Sequence, residues 1–185
     1  YNERFSQSID LPGTTDEAGY GTKTAIPNTG YLTRKYKYYG PAWYQRDIII
    51  PHEWKGRRIF LEMERVMWES TVFINGTKIS TQDALNSSHL VDLGYLTPGE
   101  HRLTIRINND MIHNIGDNNH AYTDYTQTIW NGIVGRIQLL ARDKVRFSNP
   151  MIFTKIDPWS ITFRDTILND LPRTVDVSVV YELHD

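Results

Sequence analysis

The chain has 185 residues, a formal net charge of -2 and no cysteine. Its length suits one sandwich-sized domain with a fragment of a second, large enough to bury a core without covalent staples. Scattered Lys and Arg argue against a phosphate-tracking surface and so against nucleic acid as a partner, and the lack of Cys excludes disulfides, thiol catalysis and thiolate metal sites.

No apolar run approaches the length of a membrane span, so no membrane partner is expected. The opening "YNERFSQSID" lacks a signal-peptide pattern and does not begin with Met, which reads as a processed or excised piece. Eleven Tyr and five Trp suit a β-rich protein or a surface that stacks flat ligands.

Residues 1–40 are polar and punctuated by Gly, Pro and Asn ("DLPGTTDEAGYGT", "AIPNTG"), which predicts an arm packed on a sandwich. "AWYQRDIIIP" (42–51) is the first predicted strand, ended by Pro51. In "RIFLEMERV" (58–66), Ile59, Leu61 and Met63 face one way and Phe60, Glu62 and Glu64 the other. "STVFING" (70–76) and "TKIS" flank Asn75-Gly76, the pair that most readily accepts positive φ at both centres of a two-residue hairpin turn. "SSHLVDLGYL" (87–96), "HRLTIRIN" (101–108) and "GIVGRIQLLA" (132–141) complete a block of short strands. Regular strand spacing with almost no helical periodicity predicts an antiparallel sandwich.

Two stretches break the rhythm. Residues 108–131, "NNDMIHNIGDNNHAYTDYTQTIWN", form a long polar-aromatic segment, and loops of that length are uncommon unless they carry function. After "KVRFSNP" come "MIFTKI", "SITFRDTIL" and "TVDVSVVYEL", three strand-like runs that read as the beginning of a second β domain, cut short.

The order "GPAWYQRDIIIPHEWKGRRIFLEMERVMWESTVFING", "LVDLGYLTPGEHRLTIRINN", "WNGIVGRIQLLA" resembles the N-terminal sugar-binding domain of family 2 glycoside hydrolases, the β-galactosidase, β-glucuronidase and β-mannosidase group, over roughly residues 40–142. "DLPGTTDEAGYG" is similar to the opening segment of relatives from gut Bacteroidetes. The resemblance implies an all-β fold: a galactose-binding-like jelly-roll sandwich at 41–143, preceded by the arm at 1–40. At 144–185 it implies the start of an immunoglobulin-like sandwich. It also implies a downstream TIM barrel on the same polypeptide holding both catalytic glutamates, a carbohydrate substrate with galactose foremost, and a periplasmic or secreted location. Where relatives have Gly-Gly-Ile-aromatic-Arg, this chain has Asn131-Gly132-Ile133-Val134-Gly135 and then Arg136. Arg136 occupies the place of an active-site Asp found in some β-galactosidases, so that role is not carried over.

Within the chain itself no catalytic residue is expected. Glu62 and Glu64 are spaced about 6.5 to 7 Å apart along one strand face, near the separation of about 5 to 5.5 Å between the carboxyls of retaining glycosidases. Parallel i, i+2 side chains cannot flank a sugar from two sides, so a solvated or interdomain face is the reading. No HExxH, HxxxH or GxSxG motif occurs, and no cofactor is expected. A structural Ca²⁺ held by Asp110, Asp117 or Asn118 is a minor alternative.

The functional signal is the 108–131 segment. Sugars need an aromatic platform with fixed donors and acceptors, and His120, Tyr122, Trp130 and Asn131 are the predicted substrate-binding residues, with Thr123 and Tyr125 of the same chemical types. The same aromatics also serve to pack a loop on a sandwich, and composition does not separate the two roles; Trp68 raises the same choice. The sequons at Asn75 and Asn86 read as incidental. The sequence thus supports a non-catalytic glycosidase domain, with a free-standing carbohydrate-binding or adhesion module as the alternative.

Overall fold

The computed structural model describes residues 4–26, 29–30, 32–120 and 122–184. The Pro27-Asn28 part of the predicted "AIPNTG" turn lies outside them. The arm contributes three two-residue strands, Gly13–Thr14 (β1), Thr22–Lys23 (β2) and Tyr36–Lys37 (β3). The main strands are Pro41–Ile50 (β4), Arg58–Val66 (β5), Glu69–Ile74 (β6), Thr77–Gln82 (β7), His89–Gly94 (β8), Gly99–Asn108 (β9) and Gly132–Arg142 (β10). A short 3₁₀ turn, His52–Trp54, links β4 to β5.

Two four-stranded sheets form the sandwich, one ordered β1-β10-β5-β8 and the other β4-β9-β6-β7. Their inner faces meet in one core. Ile59, Leu61 and Met63 of β5, Val91 and Leu93 of β8 and Ile133 of β10 lie against Tyr44 and Ile50, Val72 and Ile74, and Leu103, Ile105 and Ile107 of the other sheet. Period-two alternation explains the selection: Ile48 and Ile50 pack inward while Ile49, between them, is 75% exposed. Each fully buried aliphatic side chain contributes about 1.5 to 3 kcal/mol.

The β6–β7 turn follows the predicted chemistry. Ile74 pairs with Thr77, and Asn75 and Gly76 take φ of 50° and 82°. Asn75 also ties the turn to β9, its N–H donating to the Arg102 carbonyl (2.9 Å) and its Oδ1 accepting from the Arg102 N–H (2.8 Å). The arm does more than cover the sandwich. β1 extends a sheet by pairing with β10, and Ile9 and Leu11 pack on the core.

The chain separates into two compact units, one ending at Ala141 and one starting at Arg142. The second contains Val145–Phe147 (β11), Met151–Ile156 (β12), Trp159–Arg164 (β13) and Ile167–Asn169 (β14), paired as β12–β13 and β11–β14. Two of the three predicted runs therefore form strands, the second divided at residues 165–166. The third, at 174–183, forms none: an apolar run becomes a strand only when a neighbouring edge takes its backbone hydrogen bonds, and no such edge reaches it among the described residues. Its Tyr181 stacks on Phe163 at 4.8 Å and donates to Asp165 Oδ2 at 3.0 Å.

Candidate functional site

The segment between β9 and β10 is held together by its own short polar side chains. Buried Asn109 accepts from the Gly40 N–H (2.9 Å) and donates to the carbonyls of Tyr38 and Trp130 (2.9 and 3.1 Å). These bonds join the two ends of the segment to each other and to the start of β4. Inside it, Asp124 accepts from the Thr128 hydroxyl and the Ile129 N–H and bonds the Tyr39 hydroxyl. Thr123 and Thr126 donate to the carbonyls of Asp117 and Asn119. Asn, Asp and Thr bond nearby backbone readily, which is how a stretch without strand periodicity takes one conformation.

The predicted binding residues part company. Tyr122 donates to the Leu85 carbonyl (2.8 Å) and meets Trp68 edge-on at 6.1 Å. His113 stacks on Trp68 at 6.3 Å and bonds Asp83 (2.9 Å). Trp68 is fully buried, so this cluster fastens the segment to the sandwich and presents no flat platform. His120 is exposed, away from any regular element.

Asn131 requires a correction. It is 1% exposed, its Oδ1 accepts from the Tyr44 hydroxyl (3.1 Å), and its Nδ2 donates to the carbonyls of Gly40 (3.0 Å) and Ile107 (3.4 Å). Enclosed at this depth, with both amide hydrogens and one acceptor position taken by internal partners, it is not presented to a substrate. Burial raises the Tyr44 hydroxyl pKa well above its ordinary value, so it stays a neutral donor.

Of the four, Trp130 lines a groove. The groove holds about 410 Å³ and is shared with Thr14, Glu17, Arg34, Arg65 and Val134. Backbone pairing makes it: Gly13 lies opposite Ile133 and Thr14 opposite Gly132, and the Thr15 N–H donates to the Asn131 carbonyl (2.9 Å). Gly132 has φ 145°, and a Cβ there would sit 2.3 Å from the Gly13 carbonyl oxygen, so only glycine lets the arm come this close. The turn after β1 is then fixed by its acids. Glu17 Oε2 accepts from the Thr14 N–H (3.0 Å) and lies 2.9 Å from the Thr14 hydroxyl, which also reaches Asp16 Oδ1 (2.7 Å). Asp16 forms an ion pair with Arg34, whose Nε is buried without a hydrogen-bond partner. Arg65, exposed near the end of β5, has no hydrogen-bond or ion-pair partner among the described residues.

The remaining chemistry-bearing groups are structurally engaged. Glu62 accepts from Gln138 (2.5 Å) and Glu64 from the Arg136 N–H (2.9 Å), so the two carboxylates brace neighbouring strands. Ser70 and His89 form a buried pair, Ser70 Oγ to Nδ1 at 2.6 Å. Nε2 lies 2.9 Å from the Ala84 carbonyl and so carries the proton, leaving Nδ1 to accept from Ser70. Burial holds the His89 pKa below its usual value, and the enclosed pair offers no nucleophile. Asp110, Asp117 and Asn118 are exposed, and among the described residues no group of three or more His, Asp or Glu is placed to hold a metal ion. No helix among the described residues is long and apolar enough to cross a membrane.

Sequence reasoning missed Thr14, Glu17, Arg34 and Arg65. The acids of "TTDEAG" were visible, but nothing in the sequence brings residues 14–17 beside residue 130 without the β1–β10 pairing.

Comparison with known proteins bears on the fold. No family model matches the chain. In sequence it is 24% identical over 162 residues to a β-glucuronidase of Formosa agariphila, an alignment covering 82% of this chain and 16% of that protein. In structure it is similar to Ruminococcus gnavus β-glucuronidase. The form bound to an N1-substituted uronic isofagomine gives a TM-score of 0.68 at 12% identity, over 91% of this chain and 30% of that one. The form bound to uronic deoxynojirimycin gives 0.66 at 14% identity, over 90% and 29%. The chain is similar to part of a β-glucuronidase. The likeness is one of all-β sandwich fold, and this chain spans under a third of either protein's length.

Proposed function

We propose that this chain is the non-catalytic N-terminal portion of a family 2 type glycoside hydrolase, serving hydrolysis of a terminal β-linked sugar by a (β/α)₈ barrel of the same polypeptide. One observation carries the reading: 91% of this chain corresponds to only 30% of a glycosidase chain. The engagement of Glu62 and Glu64 in cross-strand bonds supports it, because it commits to structure the acid pair that the sequence offered for the chemistry. In this reading the second unit begins an immunoglobulin-like domain, and the enzyme works in the periplasm or outside the cell. The resemblance favours galactose as the sugar, whereas the similar proteins are named for glucuronides.

The test compares the 185-residue chain with the complete gene product on aryl β-galactoside, β-glucuronide and β-mannoside. The short chain should release no aryl alcohol and the complete product should hydrolyse one of the three. Turnover by the short chain, or none by the complete product on any of them, overturns the assignment. The Trp130 groove favours a second reading, a carbohydrate-binding module, which predicts glycan binding with no hydrolysis by either form.

A further inference from the structure

The groove can be read more closely than its residue types. Arg34 is matched by Asp16, which leaves Arg65 and Glu17 as the lining charges not consumed by an ion pair. Arg65 is a donor only and has no partner among the described residues. Glu17 is an acceptor only, and Thr14 holds its Oε2, leaving the other carboxylate oxygen available. Trp130, half-buried, and Val134 supply apolar lining to the same groove.

We infer that this groove is a subsite for an uncharged pyranoside, with Trp130 stacking on the sugar's C–H face, Arg65 donating to its hydroxyls and Glu17 accepting from them. The inference rests on the preceding section only in taking a sugar as the ligand class. A hydroxyl both donates and accepts, so a ring with adjacent hydroxyls satisfies a donor-only and an acceptor-only group together. A carboxylate-bearing sugar gains from Arg65 and loses to Glu17, while its charge must also be desolvated, so it has no advantage here. The volume of about 410 Å³ lies within the roughly 300 to 1,000 Å³ usual for small-ligand sites. A second concavity lies beside Asp47 and Arg102, whose charges are already spent on each other in a two-pronged ion pair (2.8 and 3.2 Å).

The experiment follows the Trp130 indole N–H resonance by NMR in the 185-residue chain, assigned with Trp130→Phe, while methyl β-galactopyranoside or methyl β-glucuronide is added. The neutral glycoside should shift it saturably, with a Kd on the order of millimolar. Arg65→Gln and Glu17→Gln, both at exposed positions that leave the core intact, should each weaken binding about tenfold, the loss of one charge-assisted hydrogen bond. The glucuronide should bind no more tightly than the neutral sugar to the natural chain, and should gain relative to it in Glu17→Gln. Three results overturn the inference: no saturable shift with either sugar, binding unchanged in both variants, or a glucuronide more than about tenfold tighter. All are read on binding by this chain, so the hydrolysis assay can fail or succeed independently.

Discussion

The strands Arg58–Val66 and Met151–Ile156 are both rich in large apolar side chains, and they meet opposite environments. Leu61 is 1% exposed in the sandwich core, whereas Ile152 is 64% exposed. β5 lies inside a four-stranded sheet with a second sheet across from it. β12 pairs only with β13, and none of the described residues from Arg142 onward is fully buried. Alternation selects which side chains share a face, but a face is buried only when another layer lies against it. A two-stranded ladder by itself is marginal, and its uncovered apolar surface is the kind that marks an interaction site.

The largest expected effect tests that contrast directly. Leu61→Ala should lower unfolding stability by about 2 to 5 kcal/mol, since it leaves a cavity between two packed sheets. Ile152→Ala should change it by no more than about 0.5 kcal/mol, the range for exposed substitutions. Urea denaturation of both variants gives the comparison. A similar loss in the two would show that the second unit buries Ile152 in solution.

The groove offers a smaller version of the same contrast, between adjacent residues. Trp130 faces the groove and Asn131 faces inward. Asn131→Ala strands the Tyr44 hydroxyl and removes a donor from the carbonyls of Gly40 and Ile107. A buried polar group left unpaired costs about 1 to 3 kcal/mol, so the summed loss should be about 3 kcal/mol after local relaxation. Tyr44→Phe removes one of these bonds and should cost roughly half as much. If Asn131→Ala instead weakens sugar binding with stability intact, the inward assignment is wrong.

These residues also show what the sequence could and could not reveal. The strands are legible because β5 and β9 carry a period of two over long runs, and Asn75-Gly76 has the chemistry of its turn. Trp130 was legible as an aromatic in a segment too long to be a mere connection. Asn131 is ambiguous in the sequence because an amide suits a sugar and a buried backbone carbonyl equally well; only the fold chooses. Thr14, Glu17 and Arg65 were invisible as a group, since they come from the arm and from β5 and meet only through the β1–β10 pairing. The run at 174–183 has a strand-like sequence yet forms no strand for the converse reason, because pattern specifies a face but not a partner edge.

The smallest effect concerns pH and again separates inside from outside. His89 is enclosed with Ser70 and the Ala84 carbonyl, with Asp83 the nearby charge, and burial depresses its pKa in the folded chain. Above the unfolded-state value of about 6.5 the ring is neutral in both states and contributes no pH dependence. As pH falls below that value the unfolded chain takes up a proton that the folded chain refuses, so stability is lost until pH drops through the depressed folded value. The slope from this one group cannot exceed about 1.4 kcal/mol per pH unit. Urea midpoints between about pH 5 and 8 should therefore fall on the acid side, and His89→Gln should flatten the curve there while losing some stability at neutral pH. An acid slope that persists in His89→Gln would assign the titration to another group.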